Sequence, residues 1–320
     1  MSNNRRNFLK NGSLLATSFL LGKQISKANN PAMNLLVKKL GLQNVSIFYT
    51  GDIQGRVRPF SYGSLNDIGG INNIFNSIKK NSSSGLLLDA GDFLGKNSSA
   101  DEQKQLISLM NDTGYQAVTM GDAELAGGQD HLASLLPFMN FKMVNCNYEF
   151  THPVLKSKVV PFHIFRFGTF KIGVTGVGPD IRGKKSSEGV TYHSPYKKAN
   201  EVAAFLKEEQ SCDMVICLSH IGMEQKAGQP GNKKFAAASN HIDVIIGAHN
   251  RAIMPPQLVM RNKQKHQVII ANPGTGGSVI GKLNFAFNNE RKLQSFECKN
   301  YIPGSPAGAS FYEGYKQLSA

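Results

Sequence analysis

Short apolar runs rich in β-branched residues recur along this chain, each bounded by polar or glycine-containing turns. Ten of them predict strands, at 45–50, 85–89, 117–120, 141–146, 159–166, 170–176, 214–218, 243–246, 267–271 and 281–287. Helical patterns fill several of the gaps. Ile71, Ile74, Phe75 and Ile78 recur at i, i+3, i+4 and i+7, which predicts a helix over 71–79 with one apolar face. A second helix is predicted over 101–113, opened by a capping box of Ser99 and Glu102. Segments 130–139, 197–209 and 232–239 also read as helices. Strands alternating with helices predict an α/β layered fold. With no repeat or linker-like stretch between 40 and 300, one domain is expected over 44–300. Residues 29–43 lead into it. Residues 301–320, with Pro303, Gly304, Pro306 and Gly308, are expected to form an irregular tail.

The first 28 residues follow a different pattern. Arg5 and Arg6, followed by Phe8-Leu9-Lys10, precede an apolar stretch from Leu14 to Leu21, and Ser26-Lys27-Ala28 then offers small residues at a cleavage site. A charged segment, a short apolar segment and a small-x-small site make a signal peptide. The paired arginines resemble the twin-arginine export signal. A periplasmic or extracellular destination is therefore expected. The apolar run is too short to span a bilayer stably, and no cysteine follows it that could carry a lipid. No stable membrane anchor is expected.

Charge modifies this picture modestly. The 320-residue chain carries a formal +14, of which five cations and no acid fall within residues 1–28, leaving +9. A basic body attracts anions at long range, phosphorylated small molecules included. No basic run interleaved with aromatics stands out, so nucleic acid is not an expected partner. Cys146, Cys212, Cys217 and Cys298 form no C-x-x-C pair, and their spacing does not establish a disulfide.

The chemistry lies at the strand ends. Five apolar strands run into glycine-containing turns that carry polar residues. They are Gly51-Asp52-Ile53-Gln54, Ala90-Gly91-Asp92, Gly121-Asp122-Ala123-Glu124, Ser219-His220-Ile221-Gly222 and Gly247-Ala248-His249-Asn250. In an open α/β sheet the loops at the carboxyl ends of the strands converge on the site. One Gly-Asp turn is ordinary, because both residues favour turns. Five in series point to a site.

Their order and spacing, with Gly69-Gly70-Ile71 and Asn272-Pro273-Gly274, resemble the calcineurin-like metallophosphoesterases in their 5′-nucleotidase branch, over residues 44 to 300. The resemblance implies an α/β/β/α layered sandwich and hydrolysis of phosphate monoesters, nucleotides among them, by two divalent ions bridged by a carboxylate. It implies that Asp52, Gln54, Asp92 and Asn250 surround a first ion and that Asp92, Asp122 and His220 surround a second. It also exposes departures. Gln54 stands where the family has His, Asp122 where it has Asn, Ala123 in place of the catalytic His, and Ala248 in place of a ligating His. Asn250 stands where the family has His or Gln. His249 is one residue from position 248, where neighbouring side chains diverge, and is not expected to substitute. His131 and His193 have no positional support.

These replacements predict an altered centre. An all-oxygen first set suits a hard cation such as Mg²⁺, Ca²⁺ or Mn²⁺, while His220 on the second admits Zn²⁺. Ala123 offers neither donor nor proton, so hydrolysis is expected to be reduced or lost. The alternatives are a working phosphatase with a changed metal preference, or a non-catalytic binding scaffold. Relatives of this branch append a nucleoside-recognition domain, so a separate partner protein supplying that recognition is expected.

Overall fold

The computed structural model describes residues 43–304, apart from 64, 81–84, 225–228 and 253–256. The expected signal peptide and nearly all of the N-terminal lead and tail lie outside the described residues.

Strand β1 (Gln43–Thr50) leads through a small hairpin, β2 (Phe60–Tyr62) and β3 (Leu65–Ile68), into the helix Gly70–Lys80. Then follow β4 (Leu86–Asp89), the helix Ala100–Thr113, β5 (Ala117–Val118), the helix Gly128–Leu135 and β6 (Lys142–Val144). Next come β7 (Tyr148–Phe150), the short helix Pro153–Lys158, β8 (Val159–Val160), β9 (Phe162–Phe167), β10 (Phe170–Val177) and β11 (Val190–Tyr192). The helix Pro195–Glu208 precedes β12 (Met214–Ser219), and the helix Asn232–Ala238 precedes β13 (Val244–Gly247). Four strands close the path: β14 (Gln257–Arg261), β15 (Gln267–Ala271), β16 (Ile280–Phe287) and β17 (Leu293–Tyr301).

Two large sheets result. One has the order β17-β16-β1-β4-β5-β6-β8 and the other β14-β15-β13-β12-β10-β9. Strands β1, β4, β5, β6 and β8 run parallel, as do β10, β12, β13 and β15. Strands β4, β12 and β13 are buried at every position, which is why they read as unbroken apolar runs rather than alternations. Side-chain alternation assigns their faces. Phe48 and Leu87 pack with Ile71, Ile74, Leu106 and Met110 of two helices. Val215, Cys217 and Ile245 pack with Leu206 and Phe235 of two others. The opposite faces, Ile47 and Leu88 on one sheet and Ile216 and Ile246 on the other, are equally buried. Each sheet thus has helices outside and the other sheet inside, the α/β/β/α layering that the resemblance implies.

By its contacts the chain forms two units, which among the described residues are 43–44 with 286–294 and 45–285 with 295–304. In the first, the Asn288 side chain accepts the backbone N–H groups of Glu290 and Lys292 to close a turn. The second holds every site residue described below.

Local sequence signals account for most element boundaries. The capping box forms: the Ser99 hydroxyl accepts the Glu102 N–H and the Glu102 carboxylate accepts the Ser99 N–H. Three expectations change. The strand expected over 159–166 is cut at Pro161, and its halves, β8 and β9, belong to different sheets. Proline cannot donate to a ladder, so the chain changes sheets there. The helix expected over 130–139 ends at Leu135 and continues as a 3₁₀ turn through Pro137. The strand β17 runs to Tyr301, so regular structure reaches into the segment expected to be irregular. Among the described residues no disulfide joins the cysteines, and no helix is long and apolar enough to cross a membrane.

The two sheets approach closely at Gly176 of β10. A methyl group there would meet Thr119 Oγ1 and the Val144 carbonyl oxygen at 2.3 Å. Overpacking of this kind costs about 1–3 kcal/mol. Gly176→Ala is expected to lower the unfolding free energy by that amount in urea titration.

Candidate metal centre

The carboxyl ends of neighbouring parallel strands from both sheets meet at one point. Asp52 follows β1, Asp92 follows β4 and Asp122 follows β5. His220 follows β12, and the turn 248–251 follows β13. The turns are tied together by backbone. Asp52 N–H donates to Gly91 O (2.9 Å), Gln54 N–H to Asp92 O (2.8 Å), and His220 N–H to Val177 O (2.9 Å). Asp52, Gln54, Asp92, His249 and Arg251 all have positive φ, five of the ten such non-glycine residues described. Backbone held in this sparsely populated region gathers at functional sites, where the surroundings over-determine it.

Asp52, Asp92 and His220 are buried and each offers one donor atom, all within 4.8 Å of one another, a group that could hold a metal ion. His220 Nδ1 donates to the Ala90 carbonyl at 2.8 Å. That bond fixes the tautomer and turns Nε2 to the centre. Nε2 lies 3.5 Å from Asp92 Oδ1 and 3.8 Å from Asp52 Oδ1. These are ion-pair distances rather than hydrogen bonds, and neither His220 Nε2 nor Asp52 Oδ1 has a hydrogen-bond partner. Buried polar atoms are rarely left so. Two unpartnered ligand atoms, a carboxylate oxygen and an imidazole nitrogen, beside a second carboxylate fit a divalent cation.

Asp92 lies deepest. Its Oδ1 accepts the Ala123 N–H at 2.8 Å, and its Oδ2 accepts Arg251 Nη2 at 2.9 Å. Burial opposes its charge, but His220, the Ala123 N–H and Arg251 together hold its carboxyl well below the usual range. Burial likewise opposes charge on His220, yet Asp92 and then Asp52 outweigh it and raise that imidazole to about 9. Burial lifts the Asp52 carboxyl above its ordinary value, with His220 opposing. The Gly121 backbone leaves the room this requires: a methyl there would meet Asp92 Oδ1 at 2.4 Å and the His220 ring at 2.6 Å.

The remaining expected residues are placed differently. Gln54 joins the same turn, and its Nε2 is buried without a hydrogen-bond partner. Asp122 reaches only the rim, where Lys184 Nζ bonds Oδ1 at 2.6 Å and Lys96 Nζ stands 3.8 Å from Oδ2. Burial opposes its charge, and the lysines more than offset this, so its pKa is lowered. Ala123 packs in the core, contributing only its N–H.

Asn250 does not face the centre. Its Oδ1 accepts the Met223 N–H at 2.6 Å, and it lines a separate cleft with Lys233 and Asn272. His249 and Arg251 face the centre instead. The His249 ring lies 5.1 Å from that of His220, edge to face, and its Nδ1 is 4.0 Å from Asp122 Oδ2. Burial, then the charge of His220, lowers its pKa to about 4, so its nitrogen lone pair is available. The physical reason is a one-residue displacement. Ala248 still donates to Ser219 O in the ladder, at 2.9 Å, so the turn begins at His249. The N–H groups of His249 and Arg251 both bond Asp52, which sets residues 249 and 251 toward the centre and 250 away. The one sequence signal for this was that Gly247-Ala248 prolongs the apolar run of β13. Lys96 and Lys184 gave no signal. His131 bonds Gln103 and His193 pairs with Glu149, both away from the centre.

A family model for calcineurin-like phosphoesterases matches residues 45–250. The 5′-nucleotidase of Vibrio cholerae is 25% identical over 287 residues, covering 81% of this chain and 51% of its own. Among solved structures, an NAD nucleotidase of Haemophilus influenzae matches with a TM-score of 0.70 at 21% identity, over 87% of this chain and 62% of that one. The structure of a 5′-nucleotidase precursor of Thermus thermophilus matches with a TM-score of 0.70 at 20% identity, over 87% and 58%. At these identities the structural likeness shows the fold. The chain spans about half the length of the curated 5′-nucleotidases it matches.

One buried carboxylate pins two of the turns. Glu124 accepts the N–H groups of Asp92 (3.0 Å), Leu94 (3.0 Å) and Gly121 (2.7 Å). Glu124→Ala strands three buried donors, and each unsatisfied group costs about 1–3 kcal/mol. A loss of at least about 2 kcal/mol is expected in urea unfolding.

Proposed function

Because this chain belongs to the calcineurin-like phosphoesterase family, we propose that it is an exported divalent-metal protein that binds a phosphate monoester of the nucleotide class and hydrolyses it weakly. The observation that carries the reading is the convergence of Asp52 Oδ1 and His220 Nε2, both without hydrogen-bond partners, on Asp92. Asp52, Asp92 and His220 would hold the ion, with His249 beside them. Two carboxylates with one or two imidazoles suit Mn²⁺ or Zn²⁺ better than the all-oxygen set that Gln54 and Asn250 would have made. A bound divalent ion polarises a phosphoryl oxygen and supplies hydroxide at neutral pH.

The chain's own groups favour binding over turnover. Half-exposed Arg251, Lys96 and Lys184 ring the centre and attract an anion, and a guanidinium matches phosphate geometry. Ala123 brings no side-chain donor to the place of the family's catalytic histidine. Loss of one transition-state donor costs about 10²–10³ in rate. Asp122 is held by two lysines and is not free to act as a base. Export rests on the twin-arginine pattern of residues 1–28.

Two measurements test the reading. In calorimetric titration with Mn²⁺ and Zn²⁺, Asp92→Asn and His249→Ala are expected to weaken binding at least tenfold, while Asn250→Ala leaves it unchanged. Absence of binding by the unaltered protein would leave only a scaffold role. In assays with AMP and a generic phosphate monoester, Ala123→His is expected to raise turnover by about 10²-fold. Robust turnover without that change would show a working phosphatase instead.

A further inference from the structure

We infer that Arg251 serves as a built-in cation in place of a second metal ion, so that the centre holds one divalent ion per chain. This deepens the proposed metal binding and rests on it. A carboxylate bridges two ions either with one oxygen to each or through one shared oxygen, and a fixed cation on the carboxylate opposes a second ion in both arrangements. In this chain the two oxygens of Asp92 are divided. Oδ1 lies on the side of His220 Nε2, at 3.5 Å. Oδ2 accepts Arg251 Nη2 at 2.9 Å. A guanidinium has donors only, no lone pair for a metal, and stays charged at every accessible pH. It therefore occupies the second face of Asp92 and repels a cation approaching there.

Arg251 is held in that position. Its backbone N–H bonds Asp52, the neighbouring carboxylate of the centre, and its φ of 51° is part of the turn that also directs His249 N–H to Asp52 Oδ2 at 2.9 Å. Gln54, whose backbone N–H bonds Asp92 O, has a neutral amide with Nε2 buried and unpartnered, a weak ligand that would not compensate for the guanidinium charge. The Arg251 side chain is half-exposed, so its remaining N–H groups can reach a phosphoryl oxygen. A charge-assisted, bidentate contact of that kind strengthens anion binding, but a guanidinium does not acidify water as a second ion would. One residue thus favours retention of the phosphate and disfavours its attack.

The test uses the full chain stripped with chelator, reconstituted with excess Mn²⁺ and desalted. Bound manganese is counted by mass spectrometry, and its electron paramagnetic resonance spectrum shows whether ions are exchange-coupled. One equivalent with an uncoupled six-line spectrum is expected for the unaltered protein and for Arg251→Lys. Two coupled equivalents are expected for the double variant Gln54→His, Arg251→His. Two equivalents in the unaltered protein would overturn the role of Arg251 and leave metal binding standing, whereas none would overturn metal binding itself. A single equivalent in both the unaltered protein and the folded double variant would also overturn the role of Arg251. Should the double variant fail to fold by circular dichroism, Arg251→Gln is read in its place by the same criteria.

Discussion

The buried carboxylate of Asp92 is the constraint around which this protein is arranged. It sits where turns from both sheets meet, and a bare charge there would be prohibitively costly. The chain supplies a backbone N–H from Ala123, an imidazole from His220 and a guanidinium from Arg251. Each comes from a different strand end. The geometry of those strand ends follows in turn: glycine at 121, positive φ at Asp52, Gln54 and Asp92, and Glu124 gathering three N–H groups. Breaking any of them exposes the same charge.

The same arrangement explains how a phosphoesterase fold holds a metal-capable triad beside a set of cationic side chains. Asp52, Asp92 and His220 remain assembled. Around them, side chains that donate or carry positive charge stand where ligands and proton donors are expected. Arg251 covers one oxygen of Asp92, and Lys96 and Lys184 cover Asp122. Cationic side chains attract and hold an anion as a metal ion does, yet they neither polarise it as strongly nor generate hydroxide. Turnover is therefore a property of the site's own groups rather than of the fold.

Much of this was legible along the chain because it is local. Buried parallel strands read as apolar runs, amphipathic helices as a 3.6-residue period, and Ser99 with Glu102 as a helix start. Five Gly-containing turns after strands pointed to these strand ends, where Asp52, Asp92 and His220 lie together. What was not legible depended on through-space geometry. Pro161 looked like an interruption in one strand, and it is the point where the chain passes from one sheet to the other.

The sequence by itself determined the layered α/β fold, the family and the strand ends that meet, since hydrophobic period and turn chemistry are properties of adjacent residues. Only the tertiary structure decided which side chains at those ends face one another. The Ala248 N–H stays in the ladder, so the turn starts one residue later, and His249 and Arg251 enter the centre in place of Ala248 and Asn250. Lys184 reaches Asp122 from another loop. A one-residue displacement of a turn exchanges the faces of every side chain that follows, and a partner from another loop leaves no mark on spacing. Those contacts are set by the meeting of two sheets, which no single segment encodes.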